Sequence, residues 1–340
     1  MRGVAVPRLA RPRPPSLPVV GDATPRIVVS TGPWLDALAE AVQAGGAEPV
    51  PVDAADLETA DADHVDGAEA IVWGDPRDAG PLGDLLDARP GIRWVQLPWA
   101  GIEPYVDVVR AHPAPTWTCG KGVYADPVAE HALGLALAGM RHLDRYARAG
   151  RWTAQAGINL IGARVTILGG GGIAEALLRL LAPFRADVTV VRTTPRPMDG
   201  ATRVLPVADT DAALVGAQLV VLALPLTPAT RGVMDRRRLG LLAPGACLVN
   251  VARGEHVVTD DLVAALSDGT LGAAGVDVTD PEPLPDGHPL WSLPNAIVTP
   301  HTANTAAMGR PLLAARVREN VRRWVTGEPL LGLVDPARGY

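Results

Sequence analysis

"VTILGGGGIAEALLRLL", residues 165–181, sets four consecutive glycines between an apolar β-type run and an apolar helical run. In register, Gly169-x-Gly171-x-x-Ala174 matches the G-x-G-x-x-G/A turn that receives a dinucleotide pyrophosphate. Val165, Ile167 and Leu168 supply the strand before the turn. Ala174, Leu177, Leu178 and Leu181 fall at i, i+3, i+4 and i+7 and supply the buried stripe of the helix after it. A side chain in the turn would hold the backbone amides and the helix N-terminus away from a phosphate. A plain glycine turn is the competing reading of these residues alone, so the rest of the chain has to decide.

Working outward, β-branched runs alternate with helical stretches on both sides of the turn. Upstream, residues 26–30, 69–74, 93–98 and 116–120 read as strands, and 33–46 reads as a helix stopped by its glycines. A long helix is expected from Asp126 as cap, with Pro127 in its first turn, to Gly150. Downstream, strands are expected at 187–192, 219–225, 246–252, 272–278 and 295–301. A short helix is expected at 259–269, capped by Thr259, and a closing helix at 312–327. This alternation predicts an α/β chain of two doubly wound parallel-sheet modules.

The composition bounds the function. At 340 residues the chain suits two domains, and 48% hydrophobic with 20% charged residues is a globular balance. A formal net charge of −6 with no basic patch argues against nucleic acid as a partner. Cys119 and Cys247 are far apart, without metal-ligand or disulfide spacing, so no metal is expected. No apolar run has the length of a membrane span. Residues 1–24, rich in Pro and Arg and lacking an apolar core, read as a loose tail rather than a signal peptide, which by default makes the protein cytoplasmic.

Three later strand ends carry pointed chemistry. "NVARG" places Arg253 after one strand, "VDVTDPEPLP" places Asp277 at the end of the next with Glu282 five residues on, and "VTPHTA" places His301 after the last. Ligands of open α/β sheets bind beyond the carboxyl ends of the strands, so all of these converge on the edge of the glycine turn. An arginine can clamp a carboxylate, a histidine can transfer a proton, and a carboxylate can orient and charge the imidazole. Taken singly, each has a blander reading: a surface arginine, a loop histidine, a solvated acidic turn between prolines.

With "LGGGGIA", "VVLALPLTPATRGVMD", "LVNVARG", "GVDVTDPEPLPDGHPLW" and "VTPHTA" in this order, the chain resembles the D-isomer-specific 2-hydroxyacid dehydrogenases from about residue 25 onward, in the manner of glyoxylate/hydroxypyruvate reductases. The resemblance implies a Rossmann nucleotide-binding domain, residues 123–298, inserted into a flavodoxin-like substrate domain, residues 25–122 and 299–340. It implies Arg253, Glu282 and His301 as the catalytic trio, and substrate contacts from Trp99, Ala100, Gly101 and Arg253, with Trp99 open to a second reading as a packing residue. It further implies a cofactor site drawn from Gly169, Gly171, Gly172 and Ile173, from Leu224, Pro225 and Thr230, and from Val251, Ala252 and Asp277. Asp277 has a second reading, as a structural carboxylate holding the adjacent loop. A homodimer is also implied.

The implied activity is hydride transfer from a nicotinamide cofactor to C2 of a small 2-oxo acid, giving a D-2-hydroxy acid. NAD-specific members of the family carry an acidic residue at the end of the second strand; this chain has Arg192, followed by Thr193 and Thr194. An arginine can pair with a 2′-phosphate, so NADP(H) is expected to be preferred, with NAD(H) as the second cofactor. The reading from a different class is a nucleotide-sensing binding protein on the same scaffold. Formate dehydrogenase is disfavoured because that chemistry pairs glutamine, not glutamate, with the histidine. A regulatory module of the phosphoglycerate dehydrogenase kind is not expected after the closing helix.

Overall fold

A computed structural model describes residues 24–53, 65–74 and 79–335. The expected tail, residues 1–24, lies outside the described residues except for its last. The chain divides into two units: one from the chain up to Lys121 together with Arg310 onward, the other Gly122–Gly309.

The first unit carries a five-stranded sheet of β1 (Arg26–Ser30), β2 (Glu48–Val52), β3 (Ala68–Val72), β4 (Trp94–Gln96) and β5 (Thr116–Thr118), in the order β2-β1-β3-β4-β5. Every pairing is parallel. This is a doubly wound order of the flavodoxin type. Four of these strands were legible as apolar runs; β2, "EPVPV", was not. Its two prolines explain both the miss and the position. Glu48 N–H donates to Pro25 and Val52 C=O accepts from Thr31, so residues 48, 50 and 52 face β1 while Pro49 and Pro51 face outward. A strand lacking those donors belongs at a sheet edge. Beyond β5, Cys119 N–H donates to Gly332 and Val334 N–H to Trp117, so the returning chain lies antiparallel along that side.

A buried polar chain crosses this unit. Trp94 Nε1 donates to Thr118 Oγ1 at 2.8 Å, Thr118 Oγ1 to Gln96 Oε1 at 2.9 Å, and Asn320 Nδ2 to the same Gln96 oxygen at 2.8 Å. Asn320 also donates to Leu331 O and accepts from Leu331 N–H at 2.8 Å, which locks the closing helix and the segment after it to the sheet.

The second unit carries β6 (Arg164–Leu168), β7 (Asp187–Val191), β8 (Arg203–Leu205), β9 (Leu219–Leu222), β10 (Cys247–Asn250), β11 (Ala273–Val276) and β12 (Ala296–Val298). Their order is β12-β11-β10-β9-β6-β7-β8, again wholly parallel. Counted from β6, this is the 3-2-1-4-5-6 Rossmann order with one further strand. The interior strands read as unbroken apolar runs because helices cover both faces, and Leu168, Leu222, Leu248 and Val276 sit in one core. The short β8, at the far edge and only partly buried, gave no apolar signal.

Several local expectations are corrected. The long helix is Ala125–Met140, and a turn at His142, with φ +49°, separates it from a second helix, Leu143–Ala147. Asp126 lies inside the first turn without capping it, and instead pairs with Arg179 at 2.6 Å. Thr259 is the first residue of its helix rather than the cap, and its hydroxyl donates to Asp280 O. The closing helix starts earlier than expected, at Ala306, and carries Pro311 inside it. The second crossing between units falls at Gly309/Arg310 rather than at 298/299. Residues 299–303 stay with the seven-stranded unit because Asp277 holds them there, as described below.

Asn320→Ala is expected to leave the Leu331 amide and carbonyl without their covered partner, at a cost of about 2–4 kcal/mol. Thermal denaturation should register a fall on the order of 10 °C. An unchanged melting temperature would remove this polar chain from the stability of the unit.

Candidate active site

All the strand ends of interest in the second unit open on one edge of its sheet. Gly169, with φ +109°, leaves β6, and a Cβ there would overlap the backbone carbonyl of Ala223 on the neighbouring strand end. Only glycine permits that approach. Gly171 precedes the helix Gly172–Leu181, and a Cβ on it would meet nothing within 4 Å. The turn therefore leaves room over the first amides of this ten-residue helix, whose N–H groups lack intrahelical partners. Ala174 is fully buried where helix meets sheet.

Arg192 follows β7 directly, its N–H still donating to Leu205 of β8. Its side chain lies across Gly170, where a Cβ would stand 2.8 Å from Arg192 Cδ. Arg192 Nη1 is covered and has no hydrogen-bond partner among the described residues. A cationic donor of this kind beside an open glycine turn is suited to an anionic ligand.

Arg253 leads a tight loop after β10. Asn250 Nδ2 donates to Arg253 O at 2.8 Å, and Ala252 N–H donates to Asn250 Oδ1 at 3.1 Å. A Cβ on Gly254 would overlap the Thr279 carbonyl, so the Arg253 loop runs backbone against backbone with the loop that carries Glu282.

Asp277, 2% exposed, is the keystone of the next loop. Its Oδ1 accepts from Thr299 Oγ1 at 2.6 Å and from Thr302 N–H at 2.8 Å, and its Oδ2 accepts from Ala303 N–H at 3.0 Å. His131, from the long helix, stands 3.4 Å from Oδ1 and 3.0 Å from Thr299 Oγ1. Burial, the largest single influence, works to raise the Asp277 pKa. The bonds from His131, Thr299, Thr302 and Ala303 together outweigh it and bring the carboxyl to about 2.

Between these bonds the chain turns through His301, in left-handed conformation with φ +49°. Its Nδ1 lies 2.7 Å from Glu282 Oε1. The carboxylate can only accept, so Nδ1 carries a proton and Nε2 is the nitrogen that titrates. The Glu282 hydrogen bond raises the His301 pKa above the ordinary imidazole value. Burial and the positive charge of Arg253 oppose this, and Asp277 adds to it. Glu282 is held below the usual carboxylate range, first by His301 and against burial, with help from the Thr279 N–H and from Arg253. The result is an ion pair next to an arginine, suited to delivering one proton from Nε2 to an oxygen of an anionic ligand.

Other expected site residues fall as follows. Leu224 and Pro225 follow β9, and Val251 and Ala252 lie buried after β10. The Thr230 hydroxyl is used within its own loop, donating to Pro225 O and accepting from Thr227 N–H. Thr193 is exposed beside Arg192, and Ile173 is part-buried in the first helical turn. Trp99, Ala100 and Gly101 belong to the five-stranded unit, after β4, where Trp99 packs edge-on against Trp34 with ring centroids 5.3 Å apart. Sequence reasoning missed His131, Thr299 and His256.

Residues 132–303 match the family model "D-isomer specific 2-hydroxyacid dehydrogenase, NAD binding domain". An uncharacterized protein in the proB 3′ region of Corynebacterium melassecola is 38% identical over 268 residues, 77% of this chain and 88% of that protein. Glyoxylate/hydroxypyruvate reductase A of Serratia proteamaculans is 32% identical over 284 residues, 80% of this chain and 87% of that protein. Among solved structures, the D-isomer specific 2-hydroxyacid dehydrogenase of Xanthobacter autotrophicus Py2, in complex with NADPH and MES, superimposes with a TM-score of 0.80 at 31% identity, covering 94% of this chain and all of that one.

Glu282→Gln is expected to lower the pH at which His301 gives up its proton, since a neutral amide no longer stabilises the imidazolium. NMR titration of the His301 ring reads this directly, without turnover. An unmoved titration would exclude Glu282 as the partner that charges the ring.

Proposed function

Because the chain belongs to the D-isomer specific 2-hydroxyacid dehydrogenase family, we propose that it reduces small 2-oxo acids of the glyoxylate/hydroxypyruvate class at C2, with NADPH as preferred reductant. The observation that carries the reading is the 2.7 Å His301–Glu282 pair beside Arg253, on the same sheet edge as the glycine turn. When bound, the reduced nicotinamide supplies a hydride for C2. Arg253 grips the substrate carboxylate and draws electron density from the ketone. His301 holds a proton on Nε2 for the carbonyl oxygen, and Glu282 keeps the ring oriented and charged. The Serratia relative's name supports the substrate class. A nucleotide-sensing protein on this scaffold can keep the same trio, so it is the reductase relatives that weigh against that reading.

In this reading the seven-stranded unit binds the dinucleotide, through Gly169, Gly171, Gly172 and Ile173. The five-stranded unit supplies substrate contacts from Trp99, Ala100 and Gly101. The NADPH bound by the Xanthobacter protein and the unpartnered Nη1 of Arg192 support a preference for the 2′-phosphate. Trp152, 95% exposed, with Leu143 and Ile161, offers the seven-stranded unit an apolar surface for a homodimer. A cytoplasmic enzyme goes with this reading. Among the described residues, no helix is long and apolar enough to cross a membrane.

Steady-state constants with glyoxylate or hydroxypyruvate test the assignment. NADPH should be preferred, and Arg192→Ala should lose about 10- to 150-fold of that preference, the worth of a charged hydrogen bond of roughly 1.5–3 kcal/mol. Equal or better use of NADH by the wild type would overturn the role given to Arg192. Arg253→Lys keeps the charge but loses the planar fork. Turnover should fall on the order of 100-fold or more, while NADPH affinity by fluorescence titration holds. Retention of most turnover would put Arg253 outside the substrate site.

A further inference from the structure

We propose that His256 is a positioning residue for the substrate arginine, its neutral imidazole fixing the backbone at Arg253 and tying it to the loop at Pro225. This rests on the role given above to Arg253. His256 is fully buried. Its ring is engaged on both sides. Nε2 lies 3.3 Å from Pro225 O, and Nδ1 lies 3.2 Å from Arg253 N. Each ring nitrogen faces a carbonyl oxygen, Pro225 O at Nε2 and Arg253 O at Nδ1; we place the proton of the neutral ring on Nε2 because Arg253 O already accepts elsewhere, which leaves Nδ1 to accept from the Arg253 N–H. Arg253 O, 3.0 Å from the same Nδ1, takes its own hydrogen bonds from Asn250 Nδ2 and from His256 N–H. Burial pushes the imidazole pKa down, in keeping with the neutral ring that this pattern requires.

The consequence is mechanical. Arg253 has extended backbone, with φ −144° and ψ 146°, immediately before a tight turn, and its guanidinium sits at the end of a long lever. A modest backbone rotation there displaces the charged fork by about an ångström, enough to cost on the order of 100-fold when a carboxylate must be held in line. The other end of the ring reaches Pro225 O, which also receives the Thr230 hydroxyl at 2.9 Å. One imidazole thus joins the loop after β9 to the arginine loop after β10. Histidine suits the task because a rigid ring offers an acceptor towards one loop and a donor towards the other.

Three substitutions separate the two bonds. The amide oxygen of His256→Asn falls near the Nδ1 position and can still accept from Arg253 N–H. The amide nitrogen of His256→Gln falls near Nε2, keeping only the bond to Pro225, and His256→Leu keeps neither. The measurements are KM and kcat for glyoxylate, calorimetric binding of oxalate to the NADPH-loaded protein, and NADPH affinity by fluorescence titration. We expect Leu and Gln to raise the glyoxylate KM and the oxalate Kd by about 10- to 100-fold while NADPH affinity changes less than about 2-fold, and Asn to stay near wild type. If Leu fails to fold, the contrast between Asn and Gln decides. Folded Gln or Leu protein with wild-type glyoxylate KM and oxalate affinity would overturn the proposal, as would Asn and Gln failing alike. Wild-type protein that neither reduces glyoxylate nor binds oxalate would overturn the functional reading itself, and this inference with it.

Discussion

The carboxylate of Asp277 is the constraint on which the rest of the site depends. A buried anion is tolerated only when its oxygens are met by donors, and here the donors are supplied by the very segment that must be shaped. Thr299, Thr302 and Ala303 converge on two oxygens. Of the two residues left between Thr299 and Thr302, His301 is held in left-handed backbone with its ring turned to Glu282. Strain at one residue is offset by hydrogen bonds at its neighbours. His131 brings the long helix into the same cluster, so the turn at His301 is braced from a helix as well as from strand ends.

The second theme is contact between backbones. Gly169 lies against the Ala223 carbonyl, and Gly254 against that of Thr279. At both points a side chain would wedge the two loops apart. The charges then fall into sequence: Arg253 opposes the proton on His301, and Glu282 more than restores it. The net direction favours the protonated ring at His301.

Much of this was legible because the decisive features are local. The glycine turn, the short, mostly apolar strands β6, β9, β10 and β11, and the polar residues within a few positions of the ends of β10 and β11 are patterns of nearby positions. What escaped was set by distance. β2 hid behind Pro49 and Pro51, whose outward direction exists only once β1 lies beside it. Asp126 and Thr259 look like helix caps in isolation, but tertiary partners, Arg179 and the Asp280 carbonyl, claim their side chains. His131 is one more helical residue until Asp277, far along the chain, arrives next to it. The end of the inserted unit was misplaced by about ten residues for the same reason: nothing local marks residues 299–303 as belonging to Asp277.

The five-stranded sheet has a property that reaches beyond one molecule. A parallel sheet ends in two rows of main-chain donors and acceptors, each a template for another chain. On one side Pro49 and Pro51 delete the outward donors of β2. On the other, residues 332–334 occupy the outer side of β5 as an antiparallel segment. Both borders are thus closed to intermolecular strand pairing. Resistance to cross-β aggregation is built into the same short stretches that complete the fold, and loosening of the segment around Leu333 would expose it first.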